Sequence, residues 1–175
     1  LWASLFLRGV KGYSAIRTGN LILLMNVGLI IGGPLWGALS DRVFKSRREL
    51  IVLCLLVMAL ISLVLTTISP KTGLFIITLI FFTFGLASSG GMLMYPHIKD
   101  LMPQAMAGAA MTGINFFNML GPAVFLQGLG TLMQHLYPDA SRGPAAFDAA
   151  FLVCMVCLAG VTSLYLFTAG KKRAG

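Results

Sequence analysis

At 175 residues, 58 % of them hydrophobic and 10 % charged, with a mean hydropathy of +0.90, the chain has too little polar surface for a soluble domain. Its net charge of +8 comes from Lys and Arg at the ends of long apolar runs, which excludes the basic face or arm that a nucleic-acid partner would need. The three cysteines, Cys54, Cys154 and Cys157, lie inside apolar runs and imply neither a disulfide framework nor a reactive thiol pair.

Residues 1–7 are apolar but too short to cross a bilayer. Arg8 and Lys11 follow this run instead of preceding it, the reverse of a signal peptide, so it is expected to be the end of a helix that begins upstream. Five longer runs come next, each close to the length of about 20 apolar residues that a spanning helix needs. They are predicted at 20–40, 50–68, 74–95, 105–134 and 147–168. The expected fold class is an all-α integral membrane protein of about five transmembrane helices, one membrane domain over 1–175. Breakers mark the joints: Ser69-Pro70-Lys71 after the second span, Pro96 after the third, and Pro138, Gly143 and Pro144 between the fourth and fifth.

Lys and Arg set the expected orientation. Arg42, Lys45, Arg47 and Arg48 follow the first span, Lys99 follows the third, and Lys171, Lys172 and Arg173 follow the fifth. The other side carries Arg8, Lys11, Arg17, Lys71 and Arg142, and so has fewer. The loop after the first span, the loop after the third and the C-terminus are therefore expected to be cytoplasmic, in a plasma (bacterial-type inner) membrane.

The spans differ in kind. The second and the fifth are apolar nearly all round, as suits helices that face lipid. The first, third and fourth are rich in Gly, Ala, Ser, Thr and Asn, which permit close packing and keep polar groups from lipid. At about 100° per residue, Asn26, Gly33, Gly37 and Ser40 share one face of the first span and Gly28 and Gly32 the opposite one, so this helix is expected to pack tightly on two sides. Thr78, Phe82, Gly85, Ser89 and Met92 form a stripe on the third, and Gly108, Asn115, Asn118 and Pro122 cluster on the fourth. By this pattern the first, third and fourth spans are interior and the second and fifth peripheral.

The most specific segment is Gly33-Pro-Leu-Trp-Gly37-Ala-Leu-Ser-Asp41-Arg42-Val-Phe44-Lys45-Ser-Arg47-Arg48. It resembles the signature loop of the major facilitator superfamily, in which a glycine precedes an Asp–Arg pair and a basic cluster. Gly37, Asp41, Arg42 and Lys45 match; Phe44 stands where the family has Gly, and Ser46 interrupts the basic run. The resemblance implies a bundle of two six-helix repeats whose third and sixth helices are peripheral. The five spans would then be the eighth to the twelfth helix, in the C-terminal half, after the end of the seventh. Gly121-Pro122 also resembles a motif of the fifth helix in some exporters, which would place the chain in the other half. The family implies secondary transport by alternating access, with the loop network stabilising one state and the missing N-terminal half as partner. Asp41 is expected near the positive end of a neighbouring helix, and Arg42 is expected to pair with Asp100.

Solute sites of such transporters lie near mid-membrane between repeats. Asn115 and Asn118 are the leading candidates to face a small-molecule solute, with Asn26, Thr78, Ser89 and Trp2 behind them; hydrogen bonding between helices is the competing reading of the same amides. Gln127 lies on another side. No Asp, Glu, Lys or Arg falls in the middle of any predicted span, so proton coupling would need groups outside this segment. No catalytic residue, cofactor or metal is expected; His97 and His135 lack neighbours at ligand spacing, and Asp148 suits a helix N-terminus. Two other readings compete with transport. One is an intramembrane hydrolase built on Ser89, which lacks the Gly-x-Ser-x-Gly elbow. The other is a membrane scaffold or partner subunit.

Overall fold

The structure, a computed structural model, describes residues 2–44, 46–69, 71–138 and 143–167, and every element among them is a helix. α1 (Trp2–Gly9) ends in a turn where Gly12 takes a φ of 65°, a left-handed conformation that glycine adopts without strain. Ser14 caps the next helix, its hydroxyl accepting from the Arg17 N–H at 3.3 Å. α2 (Ala15–Leu39) therefore starts before the predicted residue 20 and runs through Pro34 into a π-helical turn at Ser40–Phe44. α3 (Arg47–Thr67) carries Glu49 in its first turn, where a carboxylate complements the helix dipole.

Pro96 does not end the third span as the sequence predicted. α4 (Leu74–Ser88) passes through a 3₁₀ turn at Ser89–Leu93 into α5 (Met94–Leu101), and the three together make one membrane-length span, Leu74–Leu101. Pro96 stands in the first turn of α5, where a missing N–H costs least. α6 (Ala107–Leu136) and α7 (Pro144–Leu166) complete five helices long and apolar enough to cross a membrane, and Pro144 takes the first position of α7, which its fixed φ favours.

Two helix pairs form the body: α2 lies along α4, and α3 along α7. Glycine sets the first contact. A Cβ on Gly28 would lie 2.5 Å from the Phe82 carbonyl oxygen, one on Gly32 would overlap Ser89 Oγ, and one on Gly85 would overlap the Met25 carbonyl. Backbone thus lies against backbone, the arrangement small residues permit in membranes. The face of Gly28 and Gly32 packs as expected. The opposite face does not: Gly33 makes only ordinary contact with Met92, and Gly37 meets nothing within 4 Å. Trp36 ties the same pair together, its Nε1–H donating to the Leu86 carbonyl at 2.7 Å. Trp36→Phe keeps an aromatic side chain but removes that bond with the five-membered ring that carries it; the expected loss is at least about 1 kcal/mol of stability, read by unfolding in mixed detergent micelles.

A larger apolar core, including Phe6, Leu7, Leu65, Ile77, Met133 and Phe147, joins α1, α3, α4, α6 and α7 at one end of the bundle. A smaller one, Leu50, Ile51 and Leu93, sits at the other. At the end of the larger core Lys11, only 8 % exposed, donates from Nζ to the Ser69 carbonyl at 2.6 Å, and burial pushes its pKa down.

Within this chain the order of burial differs from the expected one. α3, read as peripheral, is the most buried span, whereas the most apolar stretch of α6, read as interior, has no buried residue. The cause is partner choice. α3 packs along α7, while α6 meets α5 through Asn115 and Asn118 and joins the larger core through Leu129 and Met133. An apolar cavity of about 510 Å³ lies beneath that stretch, lined by residues that include Trp2, Phe84, Phe125, Leu126, Phe151 and Cys157.

Candidate functional site

The charged loop and the ends of α3, α5 and α7 converge in one cluster. The π-helical turn carries Asp41 and Arg42. Arg47, the first residue of α3, reaches across to α5: Nη1 lies 2.6 Å from Asp100 Oδ2, and Nη2 lies 3.9 Å from Asp41 Oδ1. Its side chain is 14 % exposed and that of Asp100 34 %. The guanidinium thus joins two carboxylates from two elements, a geometry its fork suits. Arg47 pairs with Asp100, whereas Arg42 is exposed and makes no ion pair within 4 Å among the described residues. Lys45, the remaining residue of the expected motif, lies outside the described residues, as do Arg142, Lys171, Lys172 and Arg173.

Arg48 extends the cluster to α7. Its Nε donates to the Tyr165 carbonyl at 3.3 Å and its Nη2 to the Leu166 carbonyl. These carbonyls belong to the last turn of the helix, where a cation is favoured by the dipole and by unsatisfied acceptors. His97 on α5, 7 % exposed, packs its ring 5.8 Å from that of Tyr165, and its Nε2 has no hydrogen-bond partner among the described residues. In the sequence Arg48 has only a place in the basic cluster and His97 no partner, because each acts through a helix terminus or ring that only folding brings near.

A second polar group lies further along the bundle. The Tyr95 hydroxyl, on α5, donates to Asn115 Oδ1 at 2.8 Å and accepts from Asn118 Nδ2 at 2.7 Å, both on α6. The two asparagines share a helix face, as their spacing predicted, and both are exposed. Tyr95 was missed: its place next to Pro96 made it read as the last residue of a span.

The other candidates do not join this group. Asn26 donates from Nδ2 to the Ile22 carbonyl at 2.8 Å, and Thr78 from its hydroxyl to the Leu74 carbonyl at 2.9 Å, each within its own helix. Ser89 is turned inward, 1 % exposed, its hydroxyl bonded to the Leu86 carbonyl at 2.6 Å and enclosed by Gly32. In this structure that enclosure turns the hydroxyl away from open space. Trp2 lines the apolar cavity, its ring 6.2 Å from Phe147, and its Nε1 has no partner among the described residues.

Five apolar spans, glycine-mediated helix packing, and a charge cluster at the ends of three spans define an integral membrane protein. The family model of the Major Facilitator Superfamily matches residues 1–126, a stretch that includes both the charged loop and the Tyr95–Asn115–Asn118 group. The chain belongs to that family of transporters. No curated protein and no solved structure matches it.

Proposed function

We propose that the chain is the C-terminal repeat of a secondary transporter that moves a small solute by alternating access, inactive without its N-terminal half. The face of α5 and α6 that carries Tyr95, Asn115 and Asn118 lines the solute path. The Arg47 cluster latches the cytoplasmic ends of α2, α3 and α5 in one state of the cycle, while Arg48 holds α3 to α7. Lys and Arg around the turn between α2 and α3, Lys99 in the last turn of α5 and the basic residues after α7 support a cytoplasmic position for those segments in a plasma (bacterial-type inner) membrane.

The observation that carries this reading is the exposed Tyr95–Asn115–Asn118 group on two membrane-spanning stretches. Amides and a phenol on a spanning helix avoid lipid, and they face either another helix or water. Here the two amides lie on α6, the span with the least buried surface, and the phenol reaches them from α5, where an opposing half and an aqueous path would meet them. The test is the coding DNA upstream of Leu1. An open frame for about six or seven further apolar helices is expected, as internal repeats require. A start codon immediately before Leu1, or saturable uptake by residues 1–175 reconstituted alone, overturns the proposal.

A further inference from the structure

Resting on the solute-path reading above, we infer that this face selects uncharged solutes that present a hydrogen-bond acceptor beside a donor, an amide-type edge such as a carboxamide, lactam or nucleobase offers. The inference starts from the direction of two hydrogen bonds. Tyr95 has one hydroxyl proton, and it goes to Asn115 Oδ1; the Tyr95 hydroxyl oxygen in turn accepts from Asn118 Nδ2. The phenol therefore fixes the two amides in opposite senses. Asn115 is left showing its Nδ2 donors and Asn118 its Oδ1 acceptor, neither with another partner among the described residues, and both side chains are exposed. A ligand that satisfies both must bring an acceptor to Asn115 and a donor to Asn118. An amide edge carries the two side by side.

Charge sets the second limit. α6 contains no Asp, Glu, Lys or Arg, and the charged side chains of the Leu74–Leu101 span are Lys99 and Asp100 at its end, where Asp100 is bound by Arg47. An ion would give up its hydration here to neutral amides, an exchange that does not recover the cost, whereas a neutral amide trades hydrogen bonds nearly evenly. Met92, one turn before Tyr95, and Met111, one turn before Asn115, are exposed and supply adaptable apolar walls. A group that only stapled α5 to α6 would need the phenol and one amide. The second amide, with its outward acceptor, would then be a liability against lipid.

Met111→Cys places a reporter on the same face without touching the three residues. It is made in the protein expressed from its complete coding sequence, with Cys54, Cys154 and Cys157 replaced by alanine. A water-soluble thiosulfonate should label it; absence of labelling overturns both this inference and the solute-path reading. With labelling established, benzamide and benzoate are compared as protectants, since they share a shape and differ in charge and in the donor, and uracil is added as a second amide edge. Benzamide or uracil is expected to slow labelling while benzoate does not. Tyr95→Phe should leave labelling intact and weaken the protection about tenfold, the size of one well-placed hydrogen bond. Protection by benzoate alone, protection by none of the three, or equal protection in Tyr95→Phe overturns the inference and leaves the solute path standing.

Discussion

Gly85→Ala should destabilise the protein by about 3 kcal/mol, at the upper end of the overpacking range. The added Cβ would overlap the Met25 carbonyl oxygen and come within 2.8 Å of the Met25 carbonyl carbon. These are backbone atoms of a helix, so no rotamer change relieves the clash; α2 and α4 must separate along their length. Separation would also strain the Trp36–Leu86 bond and the contacts at Gly28 and Gly32, which depend on the same close approach. In a bilayer such packing is what holds helices together, because lipid tails compete equally for apolar side chains. Gly113→Ala and Gly121→Ala are the controls: both positions lie within α6 with nothing within 4 Å of an added Cβ. Alanine there should be neutral or stabilising by up to about 1 kcal/mol through helix propensity. Unfolding of all three variants in mixed detergent micelles reads the difference, and equal midpoints would refute the close contact.

The Gly28 and Gly32 face was legible in the sequence because helical periodicity converts spacing directly into direction. The same arithmetic put Asn115 and Asn118 on one face, and the structure adds a shared partner. Periodicity failed where the helix changes pitch. The 3₁₀ turn at Ser89–Leu93 carries the span past Pro96, so Tyr95 is an interior residue and not a terminus. The π-helical turn at Ser40–Phe44 breaks the regular register just where the signature motif was matched position by position. Arg42 is left on the exposed side, and Arg47, at the start of the next helix, becomes the residue that meets Asp100. Burial order was illegible for a different reason. Composition says that α3 and α7 tolerate lipid on every side, but it does not say that they would choose each other.

That change of partner gives the second large effect. Arg47→Ala should cost about 2 kcal/mol, below the range for a fully buried pair because a third of the Asp100 side chain is open to solvent. The loss leaves Asp100 less compensated and loosens the start of α3 from α5. Arg42→Ala, at an exposed position outside the pair, should change stability by less than about 0.5 kcal/mol. The charge swap Arg47→Asp with Asp100→Arg separates pairing from mere charge balance. It should recover part of the loss but not all, because the new aspartate at position 47 stands near Asp41, which now lies 3.9 Å from the arginine. A double-mutant cycle on Arg47 and Asp100 supplies the coupling energy, and no coupling would reduce the 2.6 Å contact to a pair of independent surface charges. If the cluster is the latch of one transport state, the same variants should shift the state balance as well as the stability: cysteine labelling at Met111 would then change in Arg47→Ala and stay unchanged in Arg42→Ala. A stability loss with unaltered labelling would make the Arg47 pair a structural tie and move the latch elsewhere in the loop.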